Sequence, residues 1–308
     1  MDLSLGRNKL KNTSGLENCR QLEIVDLSFN SIKEIIGLEN LSKLKKLYLS
    51  NNQITKIEGL NTLPNLEELS LHDNQIARIE GLDNLSNLEY INLSSNRITK
   101  IEGLNNLSNL KDLSLSGNRI SKIEGLDNLS KLRDLGLSNN QITKIEGLDN
   151  LSDLNDLGIY NNQITKIEGL DNLSSLKNLD LDGNQILIIE GLDDLPHLEY
   201  LSLGRRRLTG IEGNHIKKIE GLEKLIILKI LHLSNNEITK IEGLDNLTQL
   251  EELYILNNKI TELTGLEKLN NLKILNIKGN PILWDDSREV YRSLHGKIGK
   301  IEIEFKEN

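Results

Sequence analysis

The feature that most constrains this chain is an asparagine that returns every 22 residues, at Asn8, Asn30, Asn52, Asn74, Asn96, Asn118, Asn140, Asn162 and Asn184. A fixed period of this kind marks a solenoid, in which each unit is a coil too small to bury its own apolar face and its neighbours supply the cover. Counted from Asn140, apolar residues fall at offsets 2, 5, 8, 11, 14, 17 and 19: Ile142, Ile145, Leu148, Leu151, Leu154, Leu157 and Ile159. Leu157 and Ile159 alternate with Asp156, Gly158 and Tyr160, the two-residue period of a short strand with one face inward. The rest come every three, which suits tight turns or 3₁₀-like segments better than a long helix.

One coil therefore reads as strand, asparagine turn and short return. The stack predicts an α/β repeat solenoid, a horseshoe whose parallel concave sheet has about 13 short strands, with 3₁₀ or irregular convex segments and a C-terminal cap. The asparagine amide can both donate to and accept from backbone groups that the bend would leave unpaired. The glycine seven residues after it, as at Gly59, Gly81 and Gly103, permits a backbone angle or close approach that a side chain would block.

The rhythm breaks once. After Leu201-Ser-Leu203-Gly, the ladder position falls on Arg206, which has no acceptor. A second start at Asn214 restores the period through Asn236, Asn258 and Asn280. Residues 206–213 therefore read as an eight-residue insertion, Asn214 is expected to keep the ladder, and Arg205, Arg206 and Arg207 form a second candidate site on a protrusion. Leu187, Ile188, Ile226 and Ile227 nearby stand where polar residues are usual, either covered by the insertion or forming a contact surface of their own. The solenoid is read as 1–283 and the cap as 284–308, with a short helix over Asp285–Leu294 and a final strand through Ile301, Ile303 and Phe305. The first coil has no capping element before it, so a monomer or a homodimer through that coil is expected.

Composition excludes several functions. The net charge of −9 argues against a nucleic-acid backbone as partner. Cys19 is the only cysteine, so no internal disulfide forms, and a cytoplasmic or nuclear setting is expected. There is no secretory signal pattern and no apolar run long enough to span a membrane. His72 and His232 sit seven coils apart, about 33 Å at the strand spacing, too far to share a metal. With no phosphate loop and no nucleophile–base set, neither catalysis, cofactor nor metal is expected.

What remains is a surface. Outward strand positions carry the acidic column Asp112, Asp134 and Asp156, followed by Asp180 and Asp182. Neighbouring carboxylates repel, so this column calls for a basic partner, a hydrated face or a divalent ion. Tyr48, His72 and Tyr90 flank it on one side, and Tyr160, Tyr200, His232 and Tyr254 on the other, aromatics of the kind that anchor interfaces. The backs of the coils repeat almost verbatim while these fronts vary. That contrast predicts a non-enzymatic scaffold binding a protein with a basic surface on its concave face.

The pattern LxxLxxLxLxxNxIxxIxGLxx resembles the short 22-residue class of leucine-rich repeats. The IEGLxxL phrase and the Asn280-Pro281 cap with its Tyr291-Arg292 segment are similar to the leucine-rich repeat regulatory subunit of protein phosphatase 1. That resemblance implies the phosphatase catalytic subunit as partner, held by acidic and aromatic side chains matching Tyr48, His72, Tyr160, Asp180, Asp182, His232 and Tyr254. Two alternatives stand beside it: an internalin-like protein whose coils bind a surface receptor, and a self-assembling structural repeat.

Overall fold

The computed structural model describes residues 1–204, 214–295 and 298–306. Arg205, Arg206 and Arg207, and the insertion read over 206–213, lie outside the described residues. The chain divides into two compact units, Met1–Ile142 with Glu146–Leu154, and Thr143–Ile145 with Asn155–Asn308.

The first unit carries seven strands of three residues: β1 (Asp2–Ser4), β2 (Ile24–Asp26), β3 (Lys46–Tyr48), β4 (Glu68–Ser70), β5 (Tyr90–Asn92), β6 (Asp112–Ser114) and β7 (Asp134–Gly136). They pair in parallel in chain order, each residue with the one 22 further on, as Leu47 with Leu69. The second unit repeats this with β8 (Asp156–Gly158), β9 (Asn178–Asp180), β10 (Tyr200–Ser202), β11 (Ile230–His232), β12 (Glu252–Tyr254) and β13 (Ile274–Asn276). Between β10 and β11 the partners are 30 residues apart, Leu201 with Leu231, yet inward still faces inward. This is the parallel leucine-rich repeat solenoid that the period predicts.

The regular coils after the first bury their apolar sets. Ile54, Ile57, Leu60, Leu63, Leu66, Leu69 and Leu71 are all 0–1% exposed, and each such side chain contributes about 1.5–3 kcal/mol of transfer free energy. Along the backs, Leu41 donates to Leu38 and Leu44 to Leu41 at 3.0 and 2.9 Å. These are single turns, not a helix. Among the described residues the regular helix is α1 (Trp284–His295), in the cap; the repeats are strand and turn with irregular convex segments, as the spacing predicts.

The asparagines hold the stack. Asn118 Nδ2 donates to Leu93 O at 3.0 Å and Leu115 O at 2.9 Å, while its Oδ1 accepts from Ile98 N at 3.0 Å. Asn214 occupies the same position after the interruption, donating to Leu181 O and Leu203 O and accepting from Ile186 N. A second set on the exposed backs ties coil to coil: Asn84, Asn106 and Asn128 donate to the carbonyls of Asn61, Asp83 and Asn105. At Gly81, with φ of 71°, a Cβ would stand 2.3 Å from the Ile57 carbonyl oxygen, so the coil can close there only on glycine.

The C-terminal end differs from the single closing strand read from Ile301, Ile303 and Phe305. β15 (Lys300–Glu302) pairs with β13, whereas β16 (Phe305–Lys306) leaves that row and pairs with β14 (Ile282–Leu283). Helix α1 intervenes between β14 and β15, and Ser287, fully buried, accepts from Leu263 N.

Replacing Asn118 by alanine leaves Leu93 O and Leu115 O with their bonds from Asn96 and Asn140 but strands the buried Ile98 N–H, and is expected to cost about 2 kcal/mol. Replacing Lys122, whose carboxylate neighbours are 3.7 and 3.9 Å away at an exposed site, is expected to stay within about 0.5 kcal/mol. Urea unfolding midpoints of the two variants measure the difference.

Candidate functional site

The first and third residues of each strand point away from the core, so strand pairing decides which outward side chains become neighbours. In the first unit Tyr90, Asp112 and Asp134 form consecutive steps of one row, about 4.8 Å apart. Asp134 is exposed and Asp112 half-buried. Two carboxylates at that spacing repel, and a cation placed over them is favoured.

Tyr48 lies in the next row, two strands before Tyr90. Burial and the neighbouring Glu68 carboxylate hold its phenol above the usual tyrosine range. Glu68 also takes the Lys46 ammonium at 2.8 Å. His72 sits beyond the end of its strand with Nδ1 2.8 Å from Asp73 Oδ2. Tyr90 accepts from Asn92 Nδ2 at 3.3 Å, and burial raises its pKa.

In the second unit Asp156, Asn178 and Tyr200 share one row and Asp180 lies in the next; together they line a shallow cleft of about 330 Å³. Tyr160 is half-buried past the end of β8. Asp182 is 6% exposed, and its Oδ1 accepts from Ser202 Oγ at 2.5 Å and Gly204 N at 2.7 Å. Its parity along the strand points outward, but the chain turns after Asp180, and the carboxylate caps the neighbouring coil.

Tyr200, His232 and Tyr254 form one aromatic run. Tyr200 and His232 have centroids 5.5 Å apart at 47°, and His232 stacks on Tyr254 at 4.3 Å and 10°. The Tyr254 hydroxyl donates to Glu252 Oε2 at 2.7 Å. Burial, then that acceptor bond, pushes the Tyr254 pKa up to about 12. A larger cleft of about 680 Å³ opens over this run. Among the described residues no group of three or more His, Cys, Asp or Glu could hold a metal ion, and no helix is long and apolar enough to cross a membrane.

A family profile of tandem leucine-rich repeats matches residues 42–84, 86–128, 130–172, 227–268 and 248–288. The chain belongs to the leucine-rich repeat family. An internalin, InlF, of Listeria monocytogenes is 31% identical with a TM-score of 0.85, and the match covers 99% of this chain and 87% of that one. A leucine-rich repeat protein of Leptospira interrogans is 27% identical with a TM-score of 0.78, covering 97% and 82%. The leucine-rich repeat domain of APL1B, at 20% identity and a TM-score of 0.75, shares the fold. No curated protein matches the sequence.

Sequence reasoning missed the rest of the larger cleft of this leucine-rich repeat chain. Asn276, Glu302 and Glu304 line it, and Lys278 bonds Glu304 at 3.0 Å. Asn276 and Lys278 continue outward columns and were legible as such. Glu302 and Glu304 follow the last repeat, where the period no longer places them.

The Tyr254 shift makes a pH prediction. A raised folded pKa means the native state keeps a proton that the unfolded chain loses near pH 10. The associated stability is therefore intact below about pH 10 and is lost as pH rises toward about 12. Alkaline absorbance titration should show a last tyrosinate step that is absent from Tyr254→Phe.

Proposed function

We propose that this chain is a non-enzymatic scaffold that captures a protein partner on the outward face of its strands. The observation that carries the reading is the contrast between the two faces of each coil. The backs repeat one Lys-Ile-Glu-Gly phrase and spend its charges on each other, as Lys122 with Glu146 and Lys166 with Glu190 at 3.9 and 3.8 Å. The strand fronts change from coil to coil and gather aromatics and carboxylates: Tyr48, His72 and Tyr90, then Asp112 and Asp134, in the first unit, and Asp156, Asp180, Tyr200, His232 and Tyr254 in the second. Tyrosines that lose few rotamers and sit beside acids suit a partner with a basic surface. The family's fold is one that typically serves interaction, not catalysis.

Two finer versions follow from different observations. The phosphatase version, with the catalytic subunit of protein phosphatase 1 as the partner in a cytoplasmic setting, rests on the IEGLxxL phrase and the Asn280-Pro281 end. The receptor-binding version is supported by the likeness to InlF along 99% of this chain. We favour the scaffold reading common to both.

Capture on the immobilised chain tests it. The paired substitution Asp112→Lys with Asp134→Lys is expected to lower capture of a genuine partner by at least about tenfold, through like-charge repulsion, while thermal unfolding shifts little. The purified phosphatase catalytic subunit serves as the first analyte. Capture by the parent chain that the variant loses supports the phosphatase version. No capture by the parent removes that version and directs the same comparison to surface receptors.

A further inference from the structure

The third residues of β11, β12, β13 and β15 form one row: His232, Tyr254, Asn276, Glu302. The His232 and Tyr254 centroids are 4.3 Å apart with planes at 10°, close to the strand spacing of about 4.8 Å. The two rings therefore stand upright on the sheet with their normals along the row. One face of Tyr254 rests on His232, and the other looks across Asn276 toward Glu302. Two strand spacings, about 10 Å, separate the backbones of Tyr254 and Glu302, and the Glu302 carboxylate leans back to 2.6 Å from Asn276 Nδ2. A planar cation midway, over the short Asn276 side chain, would lie about 5 Å from the ring, inside the range of a cation–π contact.

The surroundings favour such a guest. Tyr254 donates to the Glu252 carboxylate at 2.7 Å, which feeds electron density into the ring and strengthens its negative face. Glu302 is already oriented, its Oε2 2.6 Å from Asn276 Nδ2 and its Oε1 2.6 Å from Lys300 Nζ. The cleft of about 680 Å³ above the row is lined by the Glu302 and Glu304 carboxylates, with Asp182 buried in its wall; Lys278 pairs with Glu304 and Lys300 with Glu302, so one net negative charge remains. In its wall the Ser234 hydroxyl, 7% exposed as a residue, has no hydrogen-bond partner among the described residues.

We propose that this cleft is a receptor for an arginine side chain of a protein partner, its guanidinium seated between the Tyr254 ring and the Glu302 carboxylate. Arginine fits better than lysine because a flat, weakly hydrated guanidinium can stack on the ring while its fork of donors meets the carboxylates. The proposal rests on the reading of the strand face as a docking surface and names one contact within it.

The probe is N-acetyl-arginine methylamide, titrated into the full chain while the aromatic side-chain NMR signals are followed, with the citrulline analogue as the neutral isostere. The expected result is a saturable shift confined to Tyr200, His232 and Tyr254 that the citrulline probe does not produce. Tyr254→Leu and Glu302→Gln should each weaken binding about fivefold or more, while Tyr254→Phe, which keeps the ring, should weaken it less than about threefold. Glu302→Gln keeps the test valid even if the leucine variant unfolds. An equal response to citrulline, shifts spread over the acidic surface without saturation, or undiminished binding by Glu302→Gln overturns the receptor. Partner capture that depends on Asp112 and Asp134 without an arginine response would sink this receptor alone. Arginine binding without capture of any partner would instead sink the scaffold reading.

Discussion

The structure depends on one polar contact made again at every coil. The ladder asparagine takes backbone carbonyls from its own coil and the preceding one, and gives its oxygen to the amide of an isoleucine in the preceding coil, as Asn52 does with Leu27, Leu49 and Ile32. Those backbone groups are buried at a bend where no strand or helix could satisfy them, and leaving any one unpaired would cost about 1–3 kcal/mol. Aspartate could not donate and leucine could neither donate nor accept. The apolar stack supplies most of the stabilisation, but the asparagine sets where each coil turns, and so which residues lie inside.

With the turn fixed, the outward rows follow without further instruction. Two residues of each three-residue strand face away from the core, and their neighbours are the same positions one coil before and after. Substitution there changes the surface and leaves the ladder untouched. The backs show the opposite economy, because their Lys-Glu columns and exposed asparagines bind coil to coil and leave little to offer a partner. A fold in which the supporting and the presenting residues are different residues can vary its surface without risking its core.

The period made the ladder, the buried set and the rows legible before any coordinates. Asn214 could be placed in the ladder because its alternative, Arg206, has no acceptor to give. What escaped the sequence lay where chemistry depends on departures from the repeat. Asp182 has outward parity, yet the chain bends just past β9 and its carboxylate turns onto Ser202 and Gly204. Phe305 looked like part of one last strand, but the chain leaves the β15 pairing after Glu302 and Phe305 pairs with β14 instead. Glu302 joined the aromatic row only through the pairing of β15 with β13, a contact between a repeat and a segment outside the period.

The jump from Leu201 to Leu231 carries a consequence for how such chains change over time. Eight residues beyond the usual 22 separate these partners, and the pairing on either side is the same as everywhere else. Since loop-closure entropy grows only with the logarithm of length, an addition of that size costs a few tenths of a kcal/mol. The connection between β10 and β11 is thus a place where the length of the chain can change while the register of the strands on either side is kept.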